Sequence, residues 1–157
     1  MAPCALSKEE RIKTMTPLAE TIGNRTAPAA ATGSQDAVVL IGRLLLANLF
    51  ILAGLNKLGS AEGTIGYIAS IGLPLAELIF YATVALEIVG GLLLAVGFKA
   101  RTVAAALGLF SIAAAVLFHA DFADLNQTTA FLKNLSIAGG MFLVAAFGPG
   151  RFSLDRG

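Results

Sequence analysis

Residues 78–98 read LIFYATVALEIVGGLLLAVGF, an apolar run with one carboxylate, Glu87, near its middle. A helix rises about 1.5 Å per residue, so this stretch can cover the roughly 30 Å hydrocarbon core of a bilayer. A charge at that depth costs about 2.5 to 3.5 kcal/mol on insertion scales and is retained where it is paired or used. A second such run, 37–55, is interrupted by Arg43. Together the two describe a small membrane protein with a polar interior.

Working outward, the apolar segments are 37–57, 74–98, 102–119 and 130–148. The third is the shortest, and it spans if Arg101 snorkels to one interface and His119 rests at the other. A soluble four-helix bundle needs a polar stripe on every helix. Residues 102–118 and 134–149 carry none, so the expected fold class is an all-α, antiparallel bundle of four transmembrane helices. Composition agrees: 57% of the 157 residues are hydrophobic and 13% charged, against about 25% charged in a soluble domain. The net charge of +1, with no basic stripe, argues against a nucleic-acid partner. Cys4 is the only thiol and His119 the only imidazole. The chain therefore has neither a CxxC pair nor bis-His haem ligation of its own, and no metal-site spacing is recognisable.

Residues 1–35 are rich in Ala, Thr, Ser and Pro and lack an apolar h-region. They read as a flexible cytosolic tail, leaving 36–157 as the transmembrane domain. Between the first two spans, 59–74 reads as an amphipathic interfacial segment, with Tyr67 at headgroup depth and Pro74 opening the second span. The turn 97–101 makes the second and third spans an antiparallel hairpin. Lys8, Arg11, Lys13, Arg25, Lys99, Arg101, Arg151 and Arg156 fall on one side, against Lys57 and Lys133 on the other. The positive-inside rule then places both termini in the cytosol.

Arg43 and Glu87 fall at about 10 Å and 15 Å from the cytosolic ends of their helices, so depth suggests an Arg43–Glu87 pair. Arg43, Ala47, Phe50, Gly54 and Lys57 share one face of the first helix, and Gly90 and Gly91 follow Glu87 on the second. The pair either pins the helices together or serves a bound ligand. Near the outer surface Glu77, His119, Lys133 and Asn134 are expected to line an outward-opening pocket, with Lys133 screening Glu77. His119 would act there as the one side chain that switches near neutral pH.

Several pieces, in their order and spacing, resemble the DoxX family of small four-helix bacterial membrane proteins. They are RLLLANLF at 43–50 with AGLNK ending at Lys57, GLP at 72–74, and EIVGG at 87–91 with LLLAVG ending at Gly97. Arg101, Phe118-His119, Lys133-Asn134, Gly139-Gly140 and the ending GPGRFSLD at 148–155 complete the set. The resemblance covers 38–155. It implies a bacterial inner-membrane protein, and family members have been tied to quinone-linked sulfur or thiol redox systems, often as partners in complexes.

Two functional readings stand nearly level. One is a redox-associated accessory subunit that binds a quinone-like lipophilic ligand through Arg43, Glu77, Glu87, His119, Lys133 and Asn134, with a redox-enzyme partner to deliver electrons. The other is a non-enzymatic assembly or partner-binding protein that uses a groove of the bundle. Transport ranks lower, since four helices without a broken inverted repeat leave little room for alternating access unless the chain forms a homo-oligomer.

Overall fold

The computed structural model describes residues 33–155, which form five helices: α1 (Gly33–Gly59), α2 (Ala61–Ser70), α3 (Ala76–Val96), α4 (Ala100–Phe118) and α5 (Leu125–Phe147). The tail assigned to 1–35 lies outside the described residues except for 33–35, which are helical. Helices α1, α3, α4 and α5 are each long and apolar enough to cross a membrane. The chain is an all-α bundle of the expected class. Leu45, Leu78, Leu109 and Leu143 are each more than 60% exposed. In water they would be a liability; in a bilayer they meet lipid.

The most extensive interfaces are α4 with α5 and α1 with α3. Glycine permits the second. A Cβ on Gly91 would sit 2.7 Å from Ile51 Cγ1 and 3.0 Å from the Ala47 carbonyl oxygen, and one on Gly54 would sit 2.6 Å from Ile88 Cγ1. Without side chains at these two positions the backbones approach closely, and dispersion then holds them where lipid supplies no hydrophobic drive. Ala47, Phe50, Leu94, Ala104, Leu107, Ile137 and Met141 fill the centre of the bundle.

The α3–α4 turn is set by Gly97 in the left-handed region, φ 71°. Gly97 N–H bonds to Leu94 O at 3.1 Å and Phe98 N–H to Leu93 O at 2.9 Å. That is the Schellman pattern, and it satisfies carbonyls that a helix end leaves open. The α2–α3 turn departs from expectation. Pro74 does not open the helix, because Leu75, left-handed at φ 56°, stands between it and Ala76 as the N-cap. Helix α2 is amphipathic as anticipated: Ile68 packs on Phe80 and Val84, and Tyr67 OH donates to Phe118 O at 3.0 Å.

Residues 148–155 hook back across one end of the bundle. Leu154 and Asp155 donate their N–H groups to Val96 O and Gly97 O at 3.1 and 2.8 Å. The Asp155 carboxylate accepts the N–H groups of Lys99 and Ala100 at 2.8 and 2.7 Å. It thus caps α4 from more than fifty residues away, where a carboxylate meets both the orphan donors and the positive end of the helix.

Candidate functional site

At the end opposite the hook, all five helices line a cavity of about 410 Å³. Its wall is mostly ring and aliphatic surface: Leu49, Phe50 and Ala53 from α1, Tyr67 and Ile68 from α2, Phe80 from α3, Phe110, Ala114 and Phe118 from α4, and Ile137 from α5. Polar groups interrupt it at Lys57, Thr64, Thr83, Glu87, Ser111, His119, Lys133 and Asn134.

Lys57 and Glu87 form an ion pair, with Nζ donating to Oε1 at 2.7 Å and Oε2 at 2.9 Å. The Glu87 side chain is 4% exposed and that of Lys57 30%. This corrects the expected Arg43–Glu87 pair. Arg43 instead donates to the carbonyls of Pro149, Phe152 and, at 3.3 Å, Ala95, fastening the hook at the far end of the bundle. The reason is directional. Helical side chains lean toward the N-terminus of their own helix. Arg43 therefore leans away from Glu87 toward the start of α1, while Lys57 leans inward and Glu87 leans toward the start of α3, where Lys57 lies. The antiparallel register agrees: Gly91 abuts Ala47 and Ile51, and Gly54 abuts Glu87 and Ile88, so Arg43 is level with the end of α3.

Of the residues singled out in the sequence, the structure brings Glu87, His119, Lys133 and Asn134 to one cavity wall and leaves two outside it. Arg43 is at the opposite end. Glu77 is exposed on the first turn of α3, where it complements the helix dipole, so Lys133 does not screen it. The ammonium of Lys133 makes no ion pair or hydrogen bond among the described residues. His119 Nδ1 meets Gln127 Oε1 at 2.7 Å. An amide oxygen only accepts, so Nδ1 carries a proton toward it, and Nε2 has no partner among the described residues. Asn134 Nδ2 donates to Ala130 O at 3.0 Å and Ser111 Oγ to Leu107 O at 2.9 Å. Their oxygens remain available as acceptors.

Lys57, Tyr67, Thr83, Ser111 and Gln127 were not predicted to be site residues. Lys57 had a signal, since it lies on the Arg43 face of α1. Ser111 shares a buried face of α4 with Ala104, Leu107, Gly108 and Ala115, a 3.6-residue rhythm that places its hydroxyl inside. Gln127 lies in the first turn of α5, placed by the loop before it, whose path no periodicity reveals.

The DoxX family profile matches residues 38–120, which include Lys57, Glu87 and His119. The chain belongs to the DoxX family. Among curated proteins this DoxX chain is similar to the inner membrane protein YqjF of Escherichia coli (strain K12), 39% identical over 78% of the chain and 92% of the relative. It is also similar to the inner membrane protein YphA of the same strain, 33% identical over 78% of the chain and 91% of the relative. CatD of Bacillus subtilis (strain 168), provisionally named an oxidoreductase, is 31% identical over 66% of the chain and 81% of the relative. No solved structure matches significantly. With four membrane-length helices and inner-membrane relatives, the DoxX chain is a multi-pass inner-membrane protein in contact with the lipid bilayer.

Proposed function

We propose that this DoxX protein binds a quinone-like, lipophilic ring ligand in the cavity and acts as an accessory subunit of a membrane redox system. The carrying observation is a bundle cavity of ligand size, with aromatic walls, that has an ion pair on its surface. Small-molecule sites are typically pockets of about 300–1,000 Å³ with mainly apolar walls and few polar groups. Phe50, Phe80, Phe110 and Phe118 offer surfaces for a flat ring. The ammonium groups of Lys57 and Lys133 would donate to ring carbonyl oxygens, and His119 Nε2 or Asn134 Oδ1 would accept from a hydroxyl. A quinone, when bound, supplies two-electron redox chemistry. The residues of this chain bind and orient it and hold a proton at His119 or Glu87. One thiol and one imidazole give the chain no means to deliver electrons, so a redox-enzyme partner supplies them. The provisional name of CatD points the same way.

We place both termini in the cytosol and the cavity toward the outer face. The support is the crowding of Lys99, Arg101 and Arg151 at the hook end.

Two experiments test the reading. Protein reconstituted in nanodiscs should bind 2-methyl-1,4-naphthoquinone saturably, at one site per chain. Affinity purification from native membranes should bring down a partner whose reduced-minus-oxidised spectrum shows flavin or haem. Linear, unsaturable partitioning of the quinone into the nanodiscs counts against the ligand, and a colourless partner counts against the redox role.

A further inference from the structure

The ionisable groups on the cavity wall do not cancel. Helix α1 contributes Lys57, α3 Glu87, the end of α4 His119 and α5 Lys133, while α2 presents only Thr64, Tyr67 and Ile68. Lys57 and Glu87 neutralise each other at 2.7 Å. Lys133 is left with no partner among the described residues, and His119 is held at Nδ1 by Gln127 Oε1. Asp121 and Asp124, between α4 and α5, are not on the cavity wall. Asp121 Oδ1 accepts from Ala123 N–H at 3.1 Å and Asp124 Oδ1 from Asn126 N–H at 2.8 Å. Glu77 lies off the wall. The cavity wall therefore has one positive charge in excess, on Lys133, an exposed residue that borders the aromatic lining. An opposite charge brought beside it, at the edge of an apolar wall, is attracted more than in bulk water.

We infer that the cavity selects a monoanionic ring ligand, one whose acidic hydroxyl or carboxylate is ionised and meets Lys133 while its ring lies among the phenylalanines. This deepens the ligand reading above and rests on it. A neutral quinone occupies the same space without answering the charge. An ionised one completes the ion balance.

The test compares 2-hydroxy-1,4-naphthoquinone, ionised at neutral pH, with its neutral 2-methoxy counterpart. Both are titrated into protein in nanodiscs of zwitterionic lipid. The anion should bind about tenfold more tightly, the equivalent of about 1.4 kcal/mol. Lys133→Gln should erase that preference, bringing the affinities of the two compounds together, and Lys133→Arg should retain it. Equal affinities in the parent protein, or a preference that survives Lys133→Gln, overturn the inference and leave the quinone reading standing. If neither naphthoquinone binds, the quinone reading falls. The charge inference is then decided by 1-naphthoate against 1-naphthamide, and equal or absent binding of that pair overturns it. Nanodiscs doped with phosphatidylglycerol separate the sources of the anion: undiminished binding of the ring acid supports a free ring ligand, and competitive loss assigns the site to a lipid headgroup instead.

Discussion

Lys57 Nζ lies 2.7 and 2.9 Å from the two carboxylate oxygens of Glu87, and this pair on a cavity wall joins α1 to α3. It is the only ion pair among the described residues. Removing one partner of a buried pair strands the other charge and costs about 3 to 5 kcal/mol, whereas replacing both by apolar groups can be neutral. Lys57→Met or Glu87→Gln should each lower the melting temperature in detergent, and the Lys57→Met, Glu87→Leu double variant should recover part of the loss. Additive losses in the double variant would show that the two side chains are not coupled.

Arg43 fastens the hook through two of its carbonyls, Pro149 and Phe152, and also reaches Ala95 of α3; hydrogen bonds to a charged group are worth about 1.5 to 3 kcal/mol each. Arg43→Met should release residues 148–155. Limited proteolysis should then cut after Arg151 faster than in the parent, with the cavity pair undisturbed. Unchanged cleavage would mean that Asp155 and the backbone bonds suffice to hold the segment.

Glycine positions should separate cleanly. Gly91→Ala places a methyl against Ile51 and the Ala47 carbonyl, and should destabilise the protein by about 1 to 3 kcal/mol as overpacking does. Gly139→Ala, with nothing within 4 Å, should be neutral or gain about 0.5 to 1 kcal/mol from reduced backbone entropy. Thermal unfolding of the two variants side by side checks the α1–α3 contact.

Topology can be read with single cysteines in a Cys4→Ser background. A cysteine at 124 should react with an impermeant maleimide added outside intact cells, and one at 99 should react only after permeabilisation. The reverse pattern would invert the assigned orientation.

The helices were legible because apolar length alone decides them in a membrane chain. The antiparallel α3–α4 hairpin was legible too, since Gly97 and the short turn allow little else. The charge partner was not. Depth counted along each helix put Arg43 near Glu87, but rise per residue ignores the lean of side chains and the offset between helices, which together favour Lys57. Glu77 was misplaced for a related reason: a first-turn residue can face any direction, and one turn of depth does not choose among them. His119, Lys133 and Asn134 were found by depth, but the Gln127 contact that holds His119 Nδ1 depends on a loop whose path sequence does not encode in any period.

The central claim is that the cavity between the helices is where the ligand sits. Ala114 lines it from α4, and a phenylalanine there would take up space that the ligand needs while keeping both Lys57 and Glu87 in the chain. The decisive measurement is the affinity of 2-methyl-1,4-naphthoquinone for the parent protein and for Ala114→Phe, both in nanodiscs. The account predicts saturable binding that the substitution abolishes while the melting temperature holds or rises. Equal affinity for the two proteins would contradict it.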